Sequence, residues 1–163
     1  MWTLLFIFCS LTVQAQFQFN FSNYIPVVAD GQTLSKAWSG GLNTPQFSTL
    51  DYDFDGDEDL LVFDRSADQI RVFKQQITPT GPSYEIDLRA HLFFPADLHY
   101  RVTTYDYDND GRKDLLVGLA DGTVKLFINE GLENAPAFGA GVDVVAAGST
   151  LLVGGNAAVA VAD

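Results

Sequence analysis

The chain has 163 residues, of which 21 are acidic and 9 are lysine or arginine, so its formal net charge is −12 at pH 7. Hydrophobic residues make up 47% of it, which argues against a disordered chain. The acidity argues against nucleic acid as a partner, because contacts with phosphates require a basic surface.

Residues 1–15 are predicted to be a cleaved signal peptide. They are uncharged and mostly apolar, and they end in Val13-Gln14-Ala15, which fits a cleavage site with small residues. The apolar run is too short for a comfortable membrane span. Cys9, the single cysteine, lies inside the run rather than at a lipoprotein site. We therefore expect a secreted or cell-surface protein without disulfides and without a membrane span.

Residues 16–43 are predicted to form an N-terminal strand and a lead-in to the repeats. Phe17, Phe19 and Phe21 alternate with polar residues, which is typical of a strand. The glycine-rich stretch Trp38–Asn43 predicts a turn, which leads into a strand at Phe47–Leu50.

An acidic loop with the pattern D-x-D-x-D-G-x-x-D occurs twice, at Asp51–Asp59 and Asp106–Asp114, and a third loop begins at Asp163. Each complete loop runs into an apolar stretch that is predicted to be a strand. The chain therefore divides into repeat units. These span residues 44–98, residues 99–155 and, for the start of the third, residues 156–163.

The loops have the composition of a calcium site, since calcium takes six to eight oxygen ligands in flexible geometry. Carboxylates at positions 1, 3 and 5 can converge on one ion, and glycine at position 6 permits the sharp turn. Position 7 would supply its backbone carbonyl, and the acid at position 9 would close the shell. The predicted metal-binding residues are Asp51, Asp53, Asp55, Asp57 and Asp59 in the first loop and Asp106, Asp108, Asp110, Arg112 and Asp114 in the second.

Three other interpretations of the loops are an EF-hand, a metal-free acidic turn and a magnesium site. An EF-hand needs a glutamate at position 12 between two helices, whereas Val62 and Val117 stand there and strands are predicted to follow. A metal-free acidic turn remains an alternative, because aspartate and glycine are common in turns. Magnesium suits the loops less well than calcium, since it prefers strict octahedral geometry and retains several waters.

The order of elements predicts an all-β fold built from β-propeller blades. Each unit contains a strand, the acidic loop, a second strand, a turn and a third strand, with a fourth strand expected around Tyr84–Leu88 and Phe138–Val145. Two blades and the start of a third make an incomplete array, so we expect an exposed apolar face on the second. Five phenylalanines are expected in the core: Phe47, Phe63, Phe73, Phe127 and Phe138.

No catalytic motif is evident. His91 and His99 are the two histidines, and neither belongs to a recognisable catalytic pattern. We therefore expect both to be surface or structural residues and the chain not to be an enzyme.

The loops and the strands after them, Leu60-Leu61-Val62 and Leu115-Leu116-Val117, resemble the FG-GAP/VCBS repeat family, whose calcium-binding blades also occur in integrin α-subunit propellers. Asp121–Gly131 is similar to the VCBS-type blade, and Trp38–Ser48 resembles the opening of secreted VCBS proteins from Bacteroidetes. The Gly-Ala-Pro tripeptide is missing, which favours the VCBS branch. The resemblance implies a propeller of several blades in which calcium is a structural clip.

The expected function is therefore a secreted or cell-surface calcium-binding propeller that binds protein or glycan through its other loops. One alternative is the propeller portion of a secreted calcium-dependent polysaccharide lyase or hydrolase, which rests on family analogy. A purely structural repeat in a surface assembly is the third hypothesis.

Overall fold

The computed structural model describes residues 25–34, 36–37 and 39–161. This part of the chain is all-β, with twelve strands and one short 3-10 helix at Ala90–Phe93. It contains no helix of the length and apolarity that a membrane crossing requires. The predicted signal peptide, the alternating phenylalanines of the lead-in and Asp163 lie outside the described residues. The chain divides into two units, Met1–Ser35 and Lys36–Asp163.

In the described part of the first unit, one small hairpin is formed by β1 (Val28–Ala29) and β2 (Gln32–Thr33). Its connection is Asp30-Gly31, and both residues have positive φ, at 51° and 75°. Two residues with positive φ are what a tight type I′ hairpin turn requires.

The second unit begins with a four-stranded antiparallel sheet that corresponds to the first predicted repeat. Its strands pair in sequence order, β3-β4-β5-β6, and the acidic loop joins the first two. The strand expected around Tyr84–Leu88 is present as the fourth. The bounds are β3 (Pro45–Leu50), β4 (Asp59–Asp64), β5 (Gln69–Thr78) and β6 (Gly81–Asp87).

A second four-stranded antiparallel sheet repeats this topology. Its strands also pair in sequence order, β7-β8-β9-β10, and the second acidic loop joins β7 to β8. The bounds are β7 (Arg101–Tyr105), β8 (Asp114–Gly118), β9 (Val124–Phe127) and β10 (Val142–Asp143). A small hairpin of β11 (Val145–Ala146) and β12 (Ser149–Thr150) follows. Strands make up the described part of the chain apart from one short 3-10 helix, so the all-β prediction is confirmed. Neither four-stranded sheet closes on itself, and the fold is consistent with incomplete propeller blades.

The main core lies between the two sheets. Leu61 and Phe63 of β4 share one buried cluster with Leu115 and Val117 of β8. In the alignment of the repeats, Leu115 and Val117 correspond to the other face of β4, because successive strand residues point to opposite faces. The sheets therefore stack front to back, as neighbouring propeller blades do. This stacking explains why β4 and β8 are continuous apolar runs.

The other face of the second sheet is covered by the end of the described chain, so the expectation of an exposed face there is wrong. Leu116, Val124 and Leu126 form a second buried cluster with Ala157. The backbone N–H of Ala157 donates to the carbonyl of Leu119 at 3.0 Å, which fixes the segment against the sheet.

The phenylalanine prediction is confirmed in part. Phe63 and Phe127 are buried, and Phe138 packs against the main core. Phe47 is 63% exposed, and that part of the prediction is wrong. It pairs in register with Val62, and Val62 with Arg71, so it lies on the face of the first sheet that is turned away from the second.

Two side chains tie the segments of this unit together. The amide of Gln46 acts like a peptide group between the first strands of the sheets: its Nε2 donates to the carbonyl of Tyr100 at 2.7 Å, and its Oε1 accepts from the N–H of Val102 at 3.0 Å. The carboxylate of Asp64, which is 2% exposed, accepts from the N–H of Asn43 at 2.9 Å. This hydrogen bond and others from Ser66 and Thr44 hold the pKa of Asp64 well below its usual value.

Candidate metal centre

Two groups of three carboxylates stand at matched positions in the two acidic loops. Each residue offers one carboxylate oxygen, and within each group these oxygens lie within 4.8 Å of one another. Positions 1, 3 and 9 of each loop therefore converge, as the spacing predicts. The groups are Asp51, Asp53 and Asp59 in the first loop and Asp106, Asp108 and Asp114 in the second.

The carboxylate at position 1 closes each loop from within. Asp51 accepts from the N–H groups of Asp55 at 3.1 Å and Gly56 at 3.0 Å. In the second loop, Asp106 accepts from the corresponding residues, each at 3.0 Å. These bonds aim the loop backbone at the position 1 carboxylate.

Backbone conformation at positions 4 and 6 makes the turn possible. Gly56 and Gly111 have φ of 92° and 88°, which confirms the prediction that glycine is needed there. Position 4 is also left-handed in both loops, at 59° for Phe54 and 61° for Asn109. Asparagine tolerates this region well, whereas the bulky phenylalanine is unusual in it, and the sequence pattern gave no sign of this feature.

The carboxylate at position 9 connects each loop to the third strand of its sheet or to the residues just after that strand. Asp59 is fully buried and accepts from the N–H of Tyr52 at 2.9 Å and of Gln75 at 2.6 Å. Asp114 is equally buried and accepts from Tyr107 at 2.9 Å and Asn129 at 2.7 Å. The motif identified the two aspartates, but their hydrogen-bond partners Gln75 and Asn129 could not be recognised from it.

Burial is the main reason why the pKa of each position 9 carboxyl is raised. For Asp59, the nearby charges of Asp53 and Asp55 raise the pKa further. The same holds for Asp114, through the carboxylates at positions 3 and 5 of its loop. A buried carboxylate surrounded by like charges is stabilised by a cation placed among them.

The carboxylate at position 3 of the first loop shows whether the residues of this loop suit a metal ion. Asp53 Oδ1 is buried, and no group in the described part of the chain donates a hydrogen bond to it. Its other oxygen lies 3.4 Å from the ammonium of Lys74. An unpartnered carboxylate oxygen inside a group of oxygen donors suits a hard cation such as calcium. The residues present therefore fit the predicted ion.

Positions 5 and 7 lie outside these three-carboxylate groups in the described structure. Asp55 instead accepts from the N–H of Asp57 at 2.9 Å, and Asp110 accepts from the N–H of Arg112 at 2.8 Å. The guanidinium of Arg112 also forms an ion pair with the second oxygen of Asp110. Metal ligation by these four residues stays a prediction.

The two loops are neighbours. Lys113, at position 8 of the second loop, lies 2.6 Å from the carboxylate of Glu58, at position 8 of the first. Its ammonium also donates to the hydroxyl of Thr49 at 3.1 Å. Sequence analysis missed this contact, because nothing in a repeat pattern shows which position of one unit meets the next.

Comparison with known families bears on this region. Residues 51–117 match the family model of the FG-GAP-like repeat. The matched stretch contains both acidic loops and the strand after each, so it supports the FG-GAP family for this part of the chain. Searches of curated proteins and of solved structures gave no significant match.

Proposed function

We propose that this chain is part of a calcium-binding β-propeller of the VCBS type, secreted or displayed on the cell surface. Calcium would be a structural clip held by Asp51, Asp53 and Asp59 in one loop and by the matched aspartates in the other. The observation that carries the proposal is the matched convergence of these carboxylates, together with the unpartnered oxygen of Asp53. The FG-GAP-like match supports it.

The clip would act through bonds already present in the loops. Position 9 links each loop to Gln75 or Asn129, and its buried charge is repelled by the neighbouring carboxylates. Bound calcium would supply the neutralising charge. The protein's part is to aim the carboxylates at one point, so that the ion binds the folded state and stabilises it by mass action.

The first experiment is calcium titration of the full chain by calorimetry, with thermal unfolding in calcium and in chelator. At a calcium concentration of about 100 times Kd, one site adds about 2.7 kcal/mol, or a rise in Tm of roughly 5–10 °C. The double variant Asp53→Asn and Asp108→Asn should lose most of this rise. An identical melting curve in calcium and in chelator would rule out the structural clip.

A candidate binding surface lies beside the 3-10 helix, where Phe93 and Phe94 pack against Tyr52 of the first loop. A groove of about 610 Å³ runs between the 3-10 helix and residues 136–141 and is lined by Phe93, Phe94 and Phe138. Phe93 is 41% exposed, so an aromatic face is open to a partner. Aromatic surfaces supply large contact areas at low entropic cost in protein recognition. We assign protein or glycan binding to this groove and, from the lack of a catalytic motif, no enzymatic activity.

Arrays of extracellular proteins and glycans, probed with the full chain, test the groove. Phe93→Ala should abolish binding, and Phe47→Ala is the matched control because Phe47 is 63% exposed on a different surface. Equal loss in both variants, or no binding at all, would contradict the assignment. Secretion is tested separately by N-terminal sequencing of exported protein, which should begin at Gln16.

A further inference from the structure

The two acidic loops have different net charges. The first, Asp51–Asp59, contains six acidic and no basic residues, whereas the second, Asp106–Asp114, contains four acidic and two basic residues. Position 7 makes the sharpest contrast, with Asp57 in one loop and Arg112 in the other. Charge count is one of the factors that set calcium affinity in such loops.

Arg112 is anchored at both ends of its guanidinium. One end forms the ion pair with Asp110, which is a predicted ligand. At the other end, Nε donates to the backbone carbonyl of Asn129 at 3.0 Å. Asn129 is 1% exposed; its Nδ2 donates to the carbonyl of Lys113, and its Oδ1 accepts from the N–H of Gly131. The guanidinium is therefore bound to a residue that is itself fixed in place.

The carboxylates of the second loop have more hydrogen-bond donors than those of the first. Asp106, Asp108, Asp110 and Asp114 each accept at least one hydrogen bond from a backbone N–H. In the first loop, by contrast, the buried Oδ1 of Asp53 has no donor in the described part of the chain.

The first loop also has a nearby cation, but it is held less firmly. Lys74 contacts one oxygen of Asp53 at 3.4 Å, which is longer than an ordinary hydrogen bond. A lysine ammonium on a flexible stem contributes little at this distance and can move away. Arginine with two fixed partners loses less freedom per hydrogen bond and stays in place.

We propose that the guanidinium of Arg112 supplies the second loop with a permanent positive charge. This charge lets the second loop keep its fold without calcium and makes that loop the weaker of two unequal calcium sites. This inference rests on the proposed calcium function. The first loop, which lacks such a group and has an unpartnered oxygen, would be the site that fills first.

The test follows the backbone amide signals of Gly56 and Gly111 by NMR while calcium is added to the isotopically labelled full chain. Each glycine reports on its own loop, so no ligand has to be removed. Gly56 should respond at lower calcium than Gly111. In Arg112→Gln, the midpoint for Gly111 should fall by about three- to tenfold, as expected for removing one nearby positive charge.

Lys113→Gln is the matched control. It removes the same charge at the next residue along the chain, whose side chain contacts Glu58 of the other loop. It should shift the Gly111 midpoint by less than about twofold, since its ammonium is paired with Glu58 of the first loop and not with a carboxylate of the second. In chelator, Arg112→Gln should also melt at a lower temperature than Lys113→Gln.

The outcomes separate this inference from the function on which it rests. If neither glycine responds to calcium, the calcium function itself fails. If both respond but at the same midpoint in the unmodified chain, the sites are equal and the role of Arg112 is wrong. The same conclusion follows if Arg112→Gln leaves both the Gly111 midpoint and the melting temperature in chelator unchanged.

Discussion

Asn129 should be among the most sensitive positions of the second sheet. Its side chain is 1% exposed and makes three hydrogen bonds: Nδ2 donates to the carbonyl of Lys113 at 3.2 Å, and Oδ1 accepts from the N–H groups of Gly131 and Ala137, each at 3.1 Å. The side chain therefore joins the end of the acidic loop to the connection that follows β9. Asn129→Ala removes all three bonds at once.

The expected cost can be worked out from these contacts. The N–H of Gly131 is left without its acceptor at a buried residue, whereas Ala137 is exposed, so its N–H can turn to water. One unsatisfied buried group costs about 1–3 kcal/mol, and a small cavity adds to this. We expect Asn129→Ala to lower the free energy of unfolding by about 2–4 kcal/mol, or Tm by roughly 5–15 °C.

Gln75→Ala is the matched control, because Gln75 occupies the corresponding position in the first sheet. Its side chain is half-buried and accepts one hydrogen bond, from the hydroxyl of Tyr84 at 2.8 Å, so its loss should cost about 1 kcal/mol. Urea unfolding of both variants in saturating calcium measures the difference. Equal costs for the two variants, or a cost below about 1 kcal/mol for Asn129→Ala, would refute the reasoning.

Two further predictions concern other contacts. Gly118→Ala should destabilise the chain by about 1–3 kcal/mol and increase protease cleavage after residue 150, because the new Cβ would lie 2.0 Å from the carbonyl oxygen of Ala157; unchanged stability and cleavage would show that this segment does not pack there. Asp64 stabilises the chain above its unfolded pKa of about 3.9, and this contribution is lost as pH falls toward its lowered folded pKa. The difference in Tm between the unmodified chain and Asp64→Asn, measured by calorimetry from pH 6 down to acid, should therefore shrink below about pH 4, and a constant difference would contradict it.

Local features of the acidic loops could be predicted because their causes lie within a few residues. The spacing of the carboxylates and the glycine at position 6 predict a tight loop, and Gly56 adopts the positive φ that this requires. The strand after each loop could be predicted for the same reason, since its residues are apolar on both faces. The hairpin order of each sheet follows from these strands and short turns.

Features that depend on distant residues could not be predicted. Phe47 looks like a core residue, but its exposure depends on which face of the first sheet meets another sheet. Asn129 and Gln75 hold the position 9 carboxylates through backbone N–H groups, and a backbone donor has no sequence pattern.

One pair of matched residues shows that the residue type at a position depends on what packs against the sheet there. Phe63 and Gly118 follow the same apolar run in the two repeats, and both are buried. Phe63 faces another sheet, and sheets pack about 10 Å apart, so a large side chain is needed to fill the space. Gly118 faces the backbone of Ala157, which leaves no room even for a Cβ. A large residue at this position therefore indicates a sheet as the neighbour, and a glycine indicates an approaching backbone.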